Sequence, residues 1–355
     1  MRTRMFPPAF LAAAVLLFAA QDARADVFKL TLASGNAPGI EYVDSAHDYF
    51  VPELRRRVKE RTGHVLEISE HYSGSLAKAN EILDGTRTGA IDFGLFCVCH
   101  EGQKLRLNNF MFLAPFSPTD PQVALRATRA VYRQVPRLSQ AIEVDHKQKL
   151  LALMPLEPYD LLATYAVAEP KDLAGHKVSG SGPNHPWIAA LGATPVTTQG
   201  QHEHTSANPK YDASIGFVSL ATSLKLYATG MTHFVRTGLG SQVILVLTVN
   251  NERFNALPVE VRAIVAETAA DFERLVAERT RERYEAHVRE VAAHGMVVSS
   301  FAPDQRRAWA ERLAPWSAAE VAKLDAQGLD GSAVIRRFVA AAEEQGHTWP
   351  VRWGR

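Results

Sequence analysis

Two groups in this 355-residue chain have the residue types and spacing that metal or redox chemistry requires. The first is His202-Glu203-His204. In a loop or strand its two imidazoles share a face and are able to hold zinc, but two further ligands would be needed. With 13 histidines in the chain, one such pair is unremarkable, and no metal site is assigned. The second is Cys97-Val98-Cys99-His100-Glu101. In an extended strand the two cysteines point to one face about 7 Å apart, beyond easy disulfide reach. Two unbridged small residues near a strand end are therefore expected, with a strained bridge in an oxidising compartment as the alternative. Nucleotide chemistry has no support. Gly180-Ser181-Gly182 lacks the third glycine of a dinucleotide loop, and Gly230 to Gly240 lacks the lysine and serine of a phosphate loop. No serine sits in a nucleophile elbow, so neither an enzyme nor a cofactor is expected.

The elements that would carry such residues alternate strand with helix, which reads as α/β. Phe28–Ala33, His64–Ile68 and Ile91–Phe96 are strand-like, with a helix over Tyr42–Val58 that stops at Gly63 and another over Ser75–Thr86. Pro115, Pro118 and Pro121 mark an irregular stretch before a helix at Val123–Val135. Strands follow at Leu150–Leu156, Leu161–Val167 and His176–Gly180. A long helix begins at Pro258 and shows one apolar face through Val261, Ile264, Val265, Phe272, Leu275, Val276 and Tyr284. It ends at His294-Gly295, and its length suits a brace across two domains. A strand at Met296–Phe301 and two more helices finish the chain.

The N-terminus has the layout of an export signal. Arg2 and Arg4 precede an unbroken apolar run from Ala9 to Ala20, and Ala23-Arg24-Ala25 offers small residues where a signal peptidase cuts. The run is shorter than the roughly 20 residues a membrane span needs, and no cysteine follows it for a lipid anchor. Cleavage after Ala25 and a periplasmic location are expected. With 39 basic and 38 acidic residues the chain has no electrostatic footprint for nucleic acid.

Several blocks, in order, resemble the substrate-binding proteins of tripartite ATP-independent periplasmic (TRAP) transporters of the dicarboxylate type. They are Ser73-Gly74-Ser75-Leu76, Glu81 to Gly85, Gly89 to Asp92, Lys171 to Val178, Leu191 to Val196, Lys225-Leu226-Tyr227, Thr237-Gly238 and Leu257 to Val261. The resemblance implies a type II periplasmic-binding-protein fold, with two α/β domains, a hinge and the long bridging helix. Residues 26–150 with part of 215–255 would form domain I, and 151–215 with part of 256–300 domain II. The bridging and C-terminal helices would occupy 256–355. It also implies capture of a small organic acid and delivery to TRAP membrane subunits driven by an ion gradient. The rival readings are a binding protein of an ATP-driven transporter, a periplasmic metal-binding protein and a secreted hydrolase.

The family's carboxylate-binding arginine, two residues after the strand lysine, is replaced here by Ser179. No arginine occurs between Arg137 and Arg236. The helix and Asp-Gly that follow in the family are also altered, at His204 to Lys210 and at Asp212-Ala213. Gly180 to Trp187 resembles a divergent branch with a Gly-Pro-Asn loop, whose backbone N–H groups would cradle an anion. Lys177 and His185 are the nearest cations. The expected ligand-binding residues are Asn36, Tyr42, Phe96, Tyr159, Lys177, Ser179, Asn184, Trp187, Asp212 and Phe217. The expected ligand is an organic acid with an apolar part, or a zwitterion held partly by Asp212.

Overall fold

The computed structural model describes residues 25–197 and 210–354. The expected signal segment and the His202-Glu203-His204 group lie outside the described residues, apart from Ala25. Two sheets organise the rest. The first has the strand order β2 (Val65–His71), β1 (Val27–Ala33), β3 (Phe93–Cys97), β10 (Leu245–Asn250) and β4 (Gln148–Met154). Its β1 runs parallel to both neighbours, while β10 is antiparallel to β3 and β4. The second sheet has the order β11 (Val297–Ser300), β9 (His233–Arg236), β5 (Asp160–Ala163), β8 (Ala213–Gly216), β6 (Lys177–Ser179) and β7 (Thr194–Val196).

Local chemistry explains most boundaries. The helix Val51–Thr62 stops where Gly63 turns left-handed at φ 76°. It is preceded by a π-helical turn at Ala46–Phe50. The expected helix over Ser75–Thr86 is shorter, Ile82–Thr88, because 75–81 is taken up by turns. Lys78 N–H there donates to the Glu81 carboxylate instead of a helical carbonyl.

The cysteines differ from the expectation. Cys97 and Cys99 are bridged, with Cα atoms 5.1 Å apart. The chain leaves β3 at Cys97 and tightens at once into the 3-10 turn Val98–Glu101, so the extended spacing does not apply.

Two short segments carry the chain between the sheets, besides the third crossing that residues 251–296 make from β10 to β11. Residues 155–159 carry it from β4 to β5, and 237–244 return it from β9 to β10. The crossings run side by side: Leu156 N–H donates to Gln242 O at 2.8 Å, and Tyr159 N–H to Gly240 O at 3.2 Å. Gly240 has φ 94°, and a Cβ there would lie 2.2 Å from Ser117 O.

The helix Val259–Ala293 spans both sheets; its 35 residues cover about 52 Å. Its first half buries Val261, Ile264, Val265 and Phe272 in the main core. Its last turns bury Tyr284, Val288 and Val291 in a second core over the β9 side. Glu273 joins it to the first sheet, accepting from Leu153 N–H at 2.6 Å and from Arg129 Nε at 2.7 Å. Tyr284 Oη joins it to the second, donating to Asp160 Oδ2 at 2.6 Å. No helix among the described residues is long and apolar enough to cross a membrane.

Candidate functional site

Strand ends of the two sheets and the crossing segment converge on an aromatic cluster. Tyr159, which ends the first crossing, packs on Phe217 with ring centroids 4.5 Å apart and on Trp187 at 5.7 Å. Phe112 closes the group, 5.9 Å from Trp187 and 6.4 Å from Tyr159. Trp187 is fully buried; its indole N–H donates to Phe112 O at 3.2 Å, and its own carbonyl accepts from Trp309 Nε1 at 3.0 Å. Burial pushes the Tyr159 phenol well above its usual range, so it remains a neutral donor.

Beside the rings lies Asn184, also fully buried. Its Oδ1 accepts from the Ser181 hydroxyl, while its Nδ2 has no partner. The loop Gly182–Asn184 is a 3-10 turn begun by Pro183, which leads directly into the short helix carrying Trp187. Ser179 is buried at the end of β6 and carries no charge.

A second polar group adjoins the cluster. Tyr42, Glu157, Ser219, Thr280 and Tyr284 line a cavity of about 30 Å³, room for roughly one water. Ser219, next to Phe217 but one, donates its N–H (3.3 Å) and its hydroxyl to the Glu157 carboxylate. Burial pushes the Glu157 carboxyl up to about 7, with the Asp160 charge adding a smaller push. Glu157 is half-buried and lines this small cavity. Asp160 is 1% exposed and is raised to about 6 by the same cause, against the lowering effect of its bonds from Tyr284 and Thr237 N–H. The Tyr42 hydroxyl and Thr280 Oγ1, both buried, have no hydrogen-bond partner. Arg283 also lines the cavity but is held by Glu41 (2.5 Å) and Asp44 (2.8 Å).

Tyr159, Asn184, Trp187 and Phe217 therefore come together, Ser179 stands at the end of β6 that leads into the Asn184 loop, and Tyr42 joins the adjoining cavity. Asn36 sits half-buried in the turn after β1, where its carbonyl accepts from Ser73 N–H at 3.0 Å. Phe96 is buried inside β3 opposite Val246 and belongs to the sheet core. Lys177 and Asp212 stand apart. They mark the entering ends of β6 and β8, where Lys177 N–H donates to Asp212 Oδ2 at 2.9 Å. The five steps from Asp212 to Phe217 cover about 16 Å of extended chain. Lys177 is exposed, and Asp212 also meets His176 Nδ1 at 3.2 Å, with that imidazole stacked on Tyr165. Sequence reasoning missed Phe112, Glu157, Ser219, Thr280 and Tyr284. Only Glu157, an acid set between two prolines in a crossing segment, left any local signal.

Comparison with known proteins bears on the fold. Residues 212–323 match the family model of bacterial extracellular solute-binding proteins, family 7. No relative among curated proteins matches. Among solved structures, the chain is similar to an extracytoplasmic solute receptor of Bordetella pertussis that binds pyroglutamic acid. Identity is 18%, TM-score 0.69, and coverage 89% of this chain and 99% of that one. It is similar to a TRAP solute-binding protein of Rhodoferax ferrireducens in complex with copurified benzoate (16% identity, TM-score 0.73, 90% and 98% covered). A TRAP periplasmic solute-binding protein of Ralstonia eutropha with bound acetolactate matches likewise (19%, 0.71, 89% and 99%). At these identities the likeness is one of fold, and the fold is the two-lobed α/β arrangement of TRAP solute-binding proteins.

Proposed function

We propose that this chain is a periplasmic solute-binding protein that captures a small organic acid between its two lobes and hands it to an ion-gradient-driven TRAP transporter. The observation that carries the reading is the buried cluster of Tyr159, Trp187, Phe217 and Asn184 at the strand ends. It lies against the two crossing strands, in a chain with the TRAP receptor fold. Its role is binding, not catalysis, and export with cleavage after Ala25 belongs to the same proposal.

The chemistry follows from what the cluster offers. The rings supply a flat apolar surface, and Asn184 Nδ2, Tyr42 Oη and Thr280 Oγ1 are buried groups with no bond to lose. A ligand carboxylate would accept from such donors at no cost in broken protein bonds. The relatives' pyroglutamate, benzoate and acetolactate are all small acids with an apolar part, which suits this lining. The paired crossings form a hinge, so ligand would enter with the lobes apart and be enclosed as they close.

Ser179 sets the selectivity. Charged hydrogen bonds contribute roughly 1.5–3 kcal/mol each. Without a forked arginine contact, succinate and malate should bind at least a hundredfold more weakly than a monoacid with an apolar body. Calorimetric titration with dicarboxylates, aromatic acids and zwitterions tests this, and the scattering radius should fall on binding. Submicromolar succinate binding would overturn the reading.

A further inference from the structure

Adjoining the aromatic cluster at Phe112 lies a groove of about 350 Å³ that the proposed function does not use. Its walls come from three places: Cys99 and Arg106 after β3, Pro183 and Pro186 of the Asn184 loop, and Trp316 of the helix Pro303–Ala326. The volume is within the range of small-molecule sites, roughly 300–1,000 Å³. Among the described residues, no carboxylate lies within ion-pair distance of the Arg106 guanidinium and no group accepts a hydrogen bond from it. Its neighbour Lys104, by contrast, is committed to Asp84 and Glu101. The one acid on the groove, Glu320, is already paired with Lys323 at 2.6 Å.

We propose that this groove is a second ligand site, for a monocarboxylate with a flat apolar body. Arg106 forks onto the carboxylate, and the Trp316 indole with the two prolines covers the body. A guanidinium presents paired donors to both oxygens of a carboxylate, and an indole face suits a planar partner. Glu320 at the rim disfavours a second negative charge, so dianions are selected against.

The site shares a wall with the principal cluster. Phe112 lines the groove, and its ring and carbonyl also hold Trp187. Pro183 and Pro186 bracket Asn184. Occupation of the groove therefore bears on the loop that closes over the principal ligand, and linkage makes the effect reciprocal.

Benzoate is a suitable probe, with benzamide as the uncharged control and isophthalate as the dianion. The Trp316 indole N–H resonance, assigned by its loss in Trp316→Phe, should move on benzoate addition in the wild type and in Asn184→Ala. Arg106→Gln should weaken that response at least tenfold, with Arg106→Lys intermediate, and benzamide and isophthalate should give little response. Arg106 holds no ion pair among the described residues, so its variants should melt as the wild type does; if the Gln form does not fold, the Lys form carries the comparison. A Trp316 signal unmoved at about 10 mM benzoate, or moved equally in Arg106→Gln, would overturn the second site. Neither result touches the principal site, which is read separately through Asn184 and Trp187.

Discussion

Replacing Glu157 with glutamine should make the protein more stable at alkaline pH, and the gain can be worked out from its surroundings. The Glu157 carboxylate accepts from Ser219 alone, and no cation pairs with it among the described residues. Desolvation raises it from 4.5 to about 7. Because the native state then holds a proton that the unfolded chain has released, stability falls as pH rises. The contribution is fully present below the unfolded value near 4.5 and is lost as pH passes through about 7. The slope for one such group approaches 1.4 kcal/mol per pH unit, so the whole window is worth about 3 kcal/mol. Glutamine keeps the shape and one acceptor for Ser219 without the titration. Relative to its own difference from the wild type near pH 5, Glu157→Gln should gain about 3 kcal/mol near pH 8. Urea unfolding across that range at constant ionic strength measures it. Asp160, raised to about 6, also lowers stability as pH rises, but it does so in both proteins and largely cancels. Parallel stability curves for the two proteins would refute the claim that this carboxyl is desolvated.

Other perturbations test the frame around the site. Trp187→Ala should cost about 3–5 kcal/mol in urea unfolding, because a fully buried indole leaves a cavity between Phe112 and Tyr159. Binding studies are better made with Trp187→Phe, which keeps an aromatic ring and loses mainly the bond to Phe112 O; a loss below about 1 kcal/mol for the alanine variant would remove Trp187 from the core of the cluster. Gly240→Ala should destabilise by about 2 kcal/mol or more, since a side chain at φ 94° meets the Ser117 carbonyl; unchanged unfolding would mean that the crossing strands relax freely.

The fold was legible in local sequence because it depends on local patterns. The short β-rich runs before Ser34 and after Gly89, the Gly63 stop and the apolar face from Val261 to Tyr284 each fix an element without reference to the rest of the chain. The order of those elements, with the resemblance blocks laid along them, was enough to give a two-lobed α/β protein. The site was only half legible. Alternation along a strand says which face a side chain takes, but not which end of the strand meets the cleft. Lys177 and Ser179 share a face of β6, yet the lysine lies with Asp212 at the entering end and the serine at the end that leads to Asn184. Phe112 and Trp187 are 75 residues apart, and nothing near either one announces the other. Glu157 meets Ser219 only because β5 pairs with β8. Cys97 and Cys99 come within bonding reach because the chain turns immediately after β3, where the Val98 N–H donates to the Ile244 carbonyl of a segment far along the chain. Sequence determined the elements, since their propensities and periods act over a few residues. Tertiary structure decided the partners, since burial and pairing act between segments that the chain order keeps far apart.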